Sequence, residues 1–249
     1  MGSGRAGGGC YVLFYDWVSL VHRFSRLNGS GRVASLTSLE VSELDAGHNW
    51  TTTGTRSNPP SGAEFPYRGQ GISVPTLAAV LEAFPENLGN IELKQDDAQA
   101  GQDLCGLLVE QGARGRVLVV SNYSASIHGF REACPEVATG ASRQEVITFY
   151  LLARTGLHRV YTPPFDALQI PVAQGNITVV TPGVLAAARD RGVQVHVWTI
   201  NVQAQMERLF GMGVDGIITD RPDLALRVLE RDFAAGVVPE FVGGGGRDL

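Results

Sequence analysis

The sequence predicts an α/β fold of parallel βαβ units gathered into one large domain. Two observations carry that prediction. From residue 90 onward, short apolar runs rich in β-branched residues alternate with amphipathic helical patterns, the grammar of parallel strands joined by helices. The chain has 249 residues, 44% hydrophobic and 18% charged, which suffices for one sizeable core and suits an α/β barrel formed as a single unit.

Taken in order, residues 1–27 read as a divergent, glycine-rich N-terminus with one or two strands, the run at 11–16 being strand-like. Asn28-Gly29-Ser30-Gly31 is a turn. Thr37 with Glu40 three residues on is a capping box opening a short helix to about residue 44. Residues 47–73 read as loop, and Pro75-Thr76-Leu77 opens a helix to about Glu82. Six candidate parallel strands follow, at 90–94, 117–121, 137–140, 168–171, 193–200 and 216–220. Between the fourth and fifth, Thr181 is a natural N-cap, Pro182 suits the first helical position, and Gly192 is placed to stop the helix. The unit 203–210, closed by Gly211 and Gly213, repeats that pattern. Residues 28–232 thus form the expected barrel domain, and 233–249, with the run Gly243 to Gly246, a flexible tail.

Composition excludes several classes. A net charge of −5 leaves no diffuse positive field for nucleic acid. No apolar run is long enough to span a bilayer and no secretory leader is evident, so the expectation is a soluble, cytoplasmic protein. Cys10, Cys105 and Cys134 are odd in number and widely spaced, and are read as small hydrophobes rather than a disulfide framework or a zinc site.

The C-terminal ends of parallel barrel strands line the active site, so polar residues there carry the chemistry. Glu92 and Lys94 lie two apart, hence on one face, and suit a hard cation beside an anionic oxygen ligand; a structural ion pair is the equal alternative. Ser121 and Asn122 close another strand. Trp198, Thr199 and Asn201 end the next-to-last strand, where an aromatic can wall a ligand or simply pack. Asp220 follows the last strand and reads equally as a helix N-cap. Among the histidines, His48 sits in a loop with a possible substrate contact, His128 and His158 read as solvated, and His196 as a satisfied core residue.

Together these pieces resemble the glycerophosphodiester phosphodiesterase family. The matching segments are Gly29-Ser30-Gly31-Arg32-Val33 through Leu36-Thr37 to Leu44-Asp45-Ala46-Gly47, then Val74-Pro75-Thr76-Leu77 and Asn90-Ile91-Glu92-Leu93-Lys94. Residues 117–121, Val197-Trp198-Thr199-Ile200-Asn201 and residues 213–223, ending Thr219-Asp220-Arg221-Pro222-Asp223, complete the match. The resemblance implies a TIM (β/α)8 barrel of the phospholipase-C-like phosphodiesterase type. It also implies metal-dependent hydrolysis of glycerophosphodiesters to glycerol 3-phosphate and an alcohol, as in phospholipid turnover. By that resemblance Glu92 is a metal ligand for calcium or magnesium, Lys94 meets the phosphate, and Trp198 forms a substrate wall. The partner is a small glycerophosphodiester or a lysophospholipid head group.

This sequence departs from the family pattern at its start. It has no His-Arg-Gly, and no Glu-x-Asp strand precedes the Gly29 to Gly31 turn, so the first two barrel strands are expected to be missing. The catalytic histidine position falls on His22 or, alternatively, on Tyr15 of Tyr15-Asp16. One remaining carboxylate implies weak cation binding, because a hard dication wants several oxygen ligands. The alternative function is a catalytically inactive member that binds a phosphate-containing ligand or a protein partner. A phosphatidylinositol-specific phospholipase C relative is a third reading.

Overall fold

The computed structural model describes residues 28–29, 36–51 and 62–234. The readings on 1–27, including the strand at 11–16 and the candidates Tyr15 and His22, lie outside the described residues, as do those on Ser30-Gly31 and on 235–249. The chain divides into two units, the larger holding residues 88–105 and 114–234 of those described, the smaller 28–87 and 106–113.

In the smaller unit, α1 (Ser38–Ser42) starts on the expected capping box: Thr37 Oγ1 accepts from Glu40 N, and the Glu40 carboxylate accepts from Thr37 N at 2.7 Å. The α2 helix (Leu77–Ala83) starts on Thr76, whose hydroxyl accepts from Ala79 N. Polar ties link the described residues between them. Asp45 accepts from Gly47 N at 2.9 Å and Gly69 N at 2.8 Å, and Arg68 stacks 4.2 Å over the Phe65 ring while donating to His48 O.

The larger unit carries the strands. β1 (Gly89–Leu93), β2 (Val117–Ser121) and β3 (Ala138–Thr139) pair in parallel, and so do β4 (Ala167–Pro171), β7 (Gln194–Trp198) and β8 (Gly216–Ile217). A parallel bridge between Gly140 and Ala167 joins the two groups. The result is six parallel strands side by side in chain order, one for each apolar run read from the sequence; no closed barrel forms among the described residues.

Between the strands lie α3 (Ala98–Glu110), α4 (Ser124–Ala133), α5 (Arg143–Thr155), α6 (Pro182–Asp190) and α7 (Gln203–Met212), and α8 (Pro222–Ala234) follows the last. The local signals explain their bounds. Thr181 caps α6 through Val184 N with Pro182 in the first turn, and Gly192 takes the left-handed φ of +67° that ends it. Gly213 ends α7 in the same way at φ +85°, but Gly211 lies inside that helix rather than closing it. The main core forms where α5, α6, α7 and α8 cover one face of β4, β7 and β8: Leu168, Ile170, Val195 and Val197 pack with Phe149, Leu185, Ala188, Met206, Leu209 and Val228.

Three features differ from expectation. Cys105 and Cys134 form a disulfide with Cα atoms 5.8 Å apart, so they are not merely small hydrophobes. What brings them together is the close approach of α3 to α4 at two glycines: a side chain on Gly101 would run into Ser126 O, and one on Gly129 into Ala98 O. His158 is 7% exposed and lies 3.4 Å from Asp190 Oδ2, so it is packed at the end of α5 instead of solvated. A small hairpin, β5 (Ala173–Gln174) with β6 (Ile177–Thr178), turns on Gly175-Asn176 just after β4.

Candidate functional site

Parallel strands in register point neighbouring side chains to the same side. Glu92 pairs with Val120, that level continues through Gly140 to Ala167, and Ala167 pairs with Gln194. Gln194, His196 and Trp198 alternate with Val195 and Val197, which are packed against the helices, so they share with Glu92 the face opposite those helices. Glu92 and Trp198 therefore stand on one face near the C-terminal ends of the first and fifth strands of the row, where parallel α/β sheets place their chemistry.

At β1 the two predicted residues meet. Lys94 Nζ lies 2.6 Å from Glu92 Oε1, and both side chains are only 20% exposed. Asn122 Nδ2 approaches the same oxygen at 3.4 Å. The ends of β1 and β2 are tied besides, since Ser121 Oγ donates to Leu93 O at 2.8 Å and accepts from Tyr123 N. A short ion pair in partial burial orients an ammonium, which suits an anionic oxygen ligand.

At the other end of the row, Asn201 does not cap the helix that it precedes. Its Oδ1 accepts from Thr219 Oγ1 at 3.0 Å and Asp220 N at 2.9 Å, and its Nδ2 donates to Asp220 Oδ2 at 2.8 Å. The expectation that Asp220 acts as an N-cap is thus corrected: its carboxylate is bound across to Asn201, and Thr219 Oγ1 takes the Arg221 N–H.

The histidines sort by environment. His196 is 3% exposed, with Nδ1 3.3 Å from the Gln169 amide and Nε2 3.3 Å from Gln194 Oε1, the satisfied core residue expected; burial alone pushes its pKa down to about 4. His48 belongs to the smaller unit, its Nδ1 3.8 Å from Asp45. His128 is 58% exposed at its side chain, as expected of a solvated residue, and lies 3.8 Å from Glu145. Burial pushes the Glu145 carboxyl up, but hydrogen bonds from Arg131 and from Ser142 outweigh it and hold it below the ordinary value.

Against known proteins, the glycerophosphoryl diester phosphodiesterase family model matches residues 9–224. The chain belongs to this family. A Mycobacterium tuberculosis relative named for glycerophosphodiester phosphodiesterase activity is 34% identical over 166 residues, 65% of this chain; the chain spans 62% of that protein's length. The glycerophosphodiester phosphodiesterase of Bacillus subtilis is 28% identical over 223 residues, 81% of this chain and 67% of that protein. Among solved structures, the glycerophosphoryl diester phosphodiesterase domain of an uncharacterized M. tuberculosis protein superposes with a TM-score of 0.65 at 17% identity, covering 83% of this chain and 79% of that one. An Oleispira antarctica phosphodiesterase, solved with the product sn-glycerol-3-phosphate, gives 0.55 at 18% identity, covering 88% and 78%. These likenesses show the family's fold in this glycerophosphodiester phosphodiesterase relative. No helix among the described residues is long and apolar enough to cross a membrane.

Whether these residues fit a divalent cation follows from their donors. A hard dication takes six or more oxygens, several of them anionic. Here the Glu92 carboxylate is already engaged by an ammonium, and no three His, Cys, Asp or Glu side chains converge among the described residues. The described donor set does not fit a dication.

Proposed function

We propose that this chain binds and hydrolyses glycerophosphodiesters, releasing glycerol 3-phosphate and an alcohol. The observation that carries the reading is the Glu92–Lys94 pair at the end of β1 in a member of this family. Lys94 is the phosphate contact, Glu92 holds its ammonium in place, and Trp198 walls the glycerol or alcohol side. Proton transfer falls to His22, with Tyr15 the alternative. The six parallel strands belong, on this reading, to a (β/α)8 barrel lacking its first two strands, within a barrel domain at 28–232. The substrates are small glycerophosphodiesters or lysophospholipid head groups.

No step is assigned to calcium or magnesium, since Glu92 as a ligand would first have to give up Lys94. That same engagement favours the second reading, a member that binds the phosphodiester without turning it over. For the compartment, the expected cytoplasmic location competes with the Cys105–Cys134 disulfide, which persists in oxidising surroundings.

The test is glycerol 3-phosphate release from glycerophosphocholine, followed by phosphorus NMR with calcium, magnesium or chelator, for the parent chain, Lys94→Met and Glu92→Ala. Release by the parent that falls at least about tenfold in Lys94→Met supports the reading. Release that is equal in all three refutes the roles given to Lys94 and Glu92. Binding without release selects the inactive reading.

A further inference from the structure

Asn201 and Asp220 each stand one residue before the N-cap position of the following helix, and the bonds of both side chains run elsewhere. The α7 helix has Val202 at its N-cap with no side-chain hydrogen bond, although Asn is among the best N-cap residues. Asn201 instead directs both ends of its amide at the loop after β8: Oδ1 accepts from Thr219 Oγ1 and Asp220 N, and Nδ2 donates to Asp220 Oδ2, all between 2.8 and 3.0 Å. One of these bonds is charge-assisted; Thr219, 5% exposed, is the buried member of the cluster, while Asn201 and Asp220 are exposed. The backbone adds Ile200 N to Ile218 O at 3.0 Å. Two neighbouring loops are therefore fastened to each other rather than to their own helices. The first of them begins at Trp198, three residues before Asn201 and half-buried on the face opposite the helices.

We propose that Asn201 is a positioning residue: paired with Asp220, it fixes the loop that starts at Trp198 and so holds the indole where the glycerol or alcohol part of a phosphodiester rests. This rests on the proposed function. A bond network spent on loop-to-loop geometry, with a helix end left uncapped, contributes to the shape of the mouth more than to the helix. The role is specific in polarity. The position needs an acceptor toward Thr219 and the Asp220 amide and a partner of opposite hydrogen-bond sense toward Oδ2, which an exchange of the two side chains can reproduce.

The exchange is the test. In Asn201→Asp two carboxylates face each other, whereas in the double variant Asn201→Asp/Asp220→Asn the new Asn donates back to the new Asp at unchanged net charge. Asp220→Asn alone can turn its amide to keep the bond, and so controls for charge. The full chain is titrated with sn-glycerol 3-phosphate by calorimetry, and its melting temperature is read alongside. The expected result is affinity about tenfold weaker in Asn201→Asp, restored to within about twofold in the double variant, with Asp220→Asn near the parent. Should Asn201→Asp not fold, Asp220→Ala removes the tie from the other side, with the same expectation. The inference is overturned if the weakened variant melts lower but binds as the parent does, since that is a purely structural role. It is overturned too if Asp220→Asn alone tightens binding by the factor that the exchange restores, since charge then explains the effect. A parent chain that binds no glycerol 3-phosphate overturns the proposed function, and this inference with it.

Discussion

Acidification should destabilise this protein through His196, by an amount that the structure sets. The imidazole is 3% exposed on the face of β7 opposite the helices, neutral, and hydrogen-bonded at both nitrogens by Gln169 and Gln194. Burial lowers its pKa from 6.5 to about 4. In the unfolded chain the ring takes up a proton as the pH falls through 6.5, while the folded chain resists until the pH nears 4. Between those values the unfolded state binds more protons, so stability is complete above pH 6.5 and is lost progressively down to about 4. That gap amounts to roughly 3 kcal/mol. Urea unfolding at pH 7.5, 5.5 and 4.5 measures it, with His196→Gln as the comparison, because Gln keeps hydrogen-bonding capacity but does not titrate. The parent should lose more stability than the variant across this window, by an amount approaching that figure. Parallel pH dependence in the two proteins would refute the reasoning, whatever their absolute stabilities.

Other outcomes follow from the packing. Reducing the Cys105–Cys134 bridge, or replacing both residues with alanine, should cost about 3.5 kcal/mol by the chain-entropy estimate for a bridge 29 residues apart. Urea midpoints with and without reductant decide that, and an unchanged midpoint would show that the thiols are unpaired in solution. Arg131→Met strands the Glu145 carboxylate, whose side chain is 12% exposed, and should destabilise by about 3 kcal/mol in chemical denaturation. Gly129→Ala drives a methyl group into the Ala98 carbonyl and should cost about 2 kcal/mol by the same measurement; a neutral effect would mean that α3 can move off α4 freely.

Much of the fold was legible because its signals are local. Each of the six strands came from a short β-branched run, and the caps at Thr37 and Thr181 came from side chains that bond three residues away. The Gly175-Asn176 hairpin went unread although Gly-Asn between short extended runs is a recognised turn signal. The disulfide could not be read that way. Its partners approach only because Gly101 and Gly129 let two helix backbones come close, a tertiary fact that spacing does not encode. His158 is buried for a similar reason, its partner Asp190 lying 32 residues along at the end of α6. At the site, Glu92 and Lys94 were legible from their spacing of two on a strand. The Asn201–Asp220 tie was not, because both residues look like helix caps until the ends of β7 and β8 are placed side by side.

On the proposed function the β1 end is an anion site built on Lys94. Calorimetric titration of the full chain with sn-glycerol 3-phosphate, beside Lys94→Met, decides this. Saturable binding by the parent and at least about tenfold weaker binding by the variant are expected, the loss that follows when one charge-assisted phosphate contact is removed. Equal affinity in the two proteins, or no binding by the parent, would contradict it.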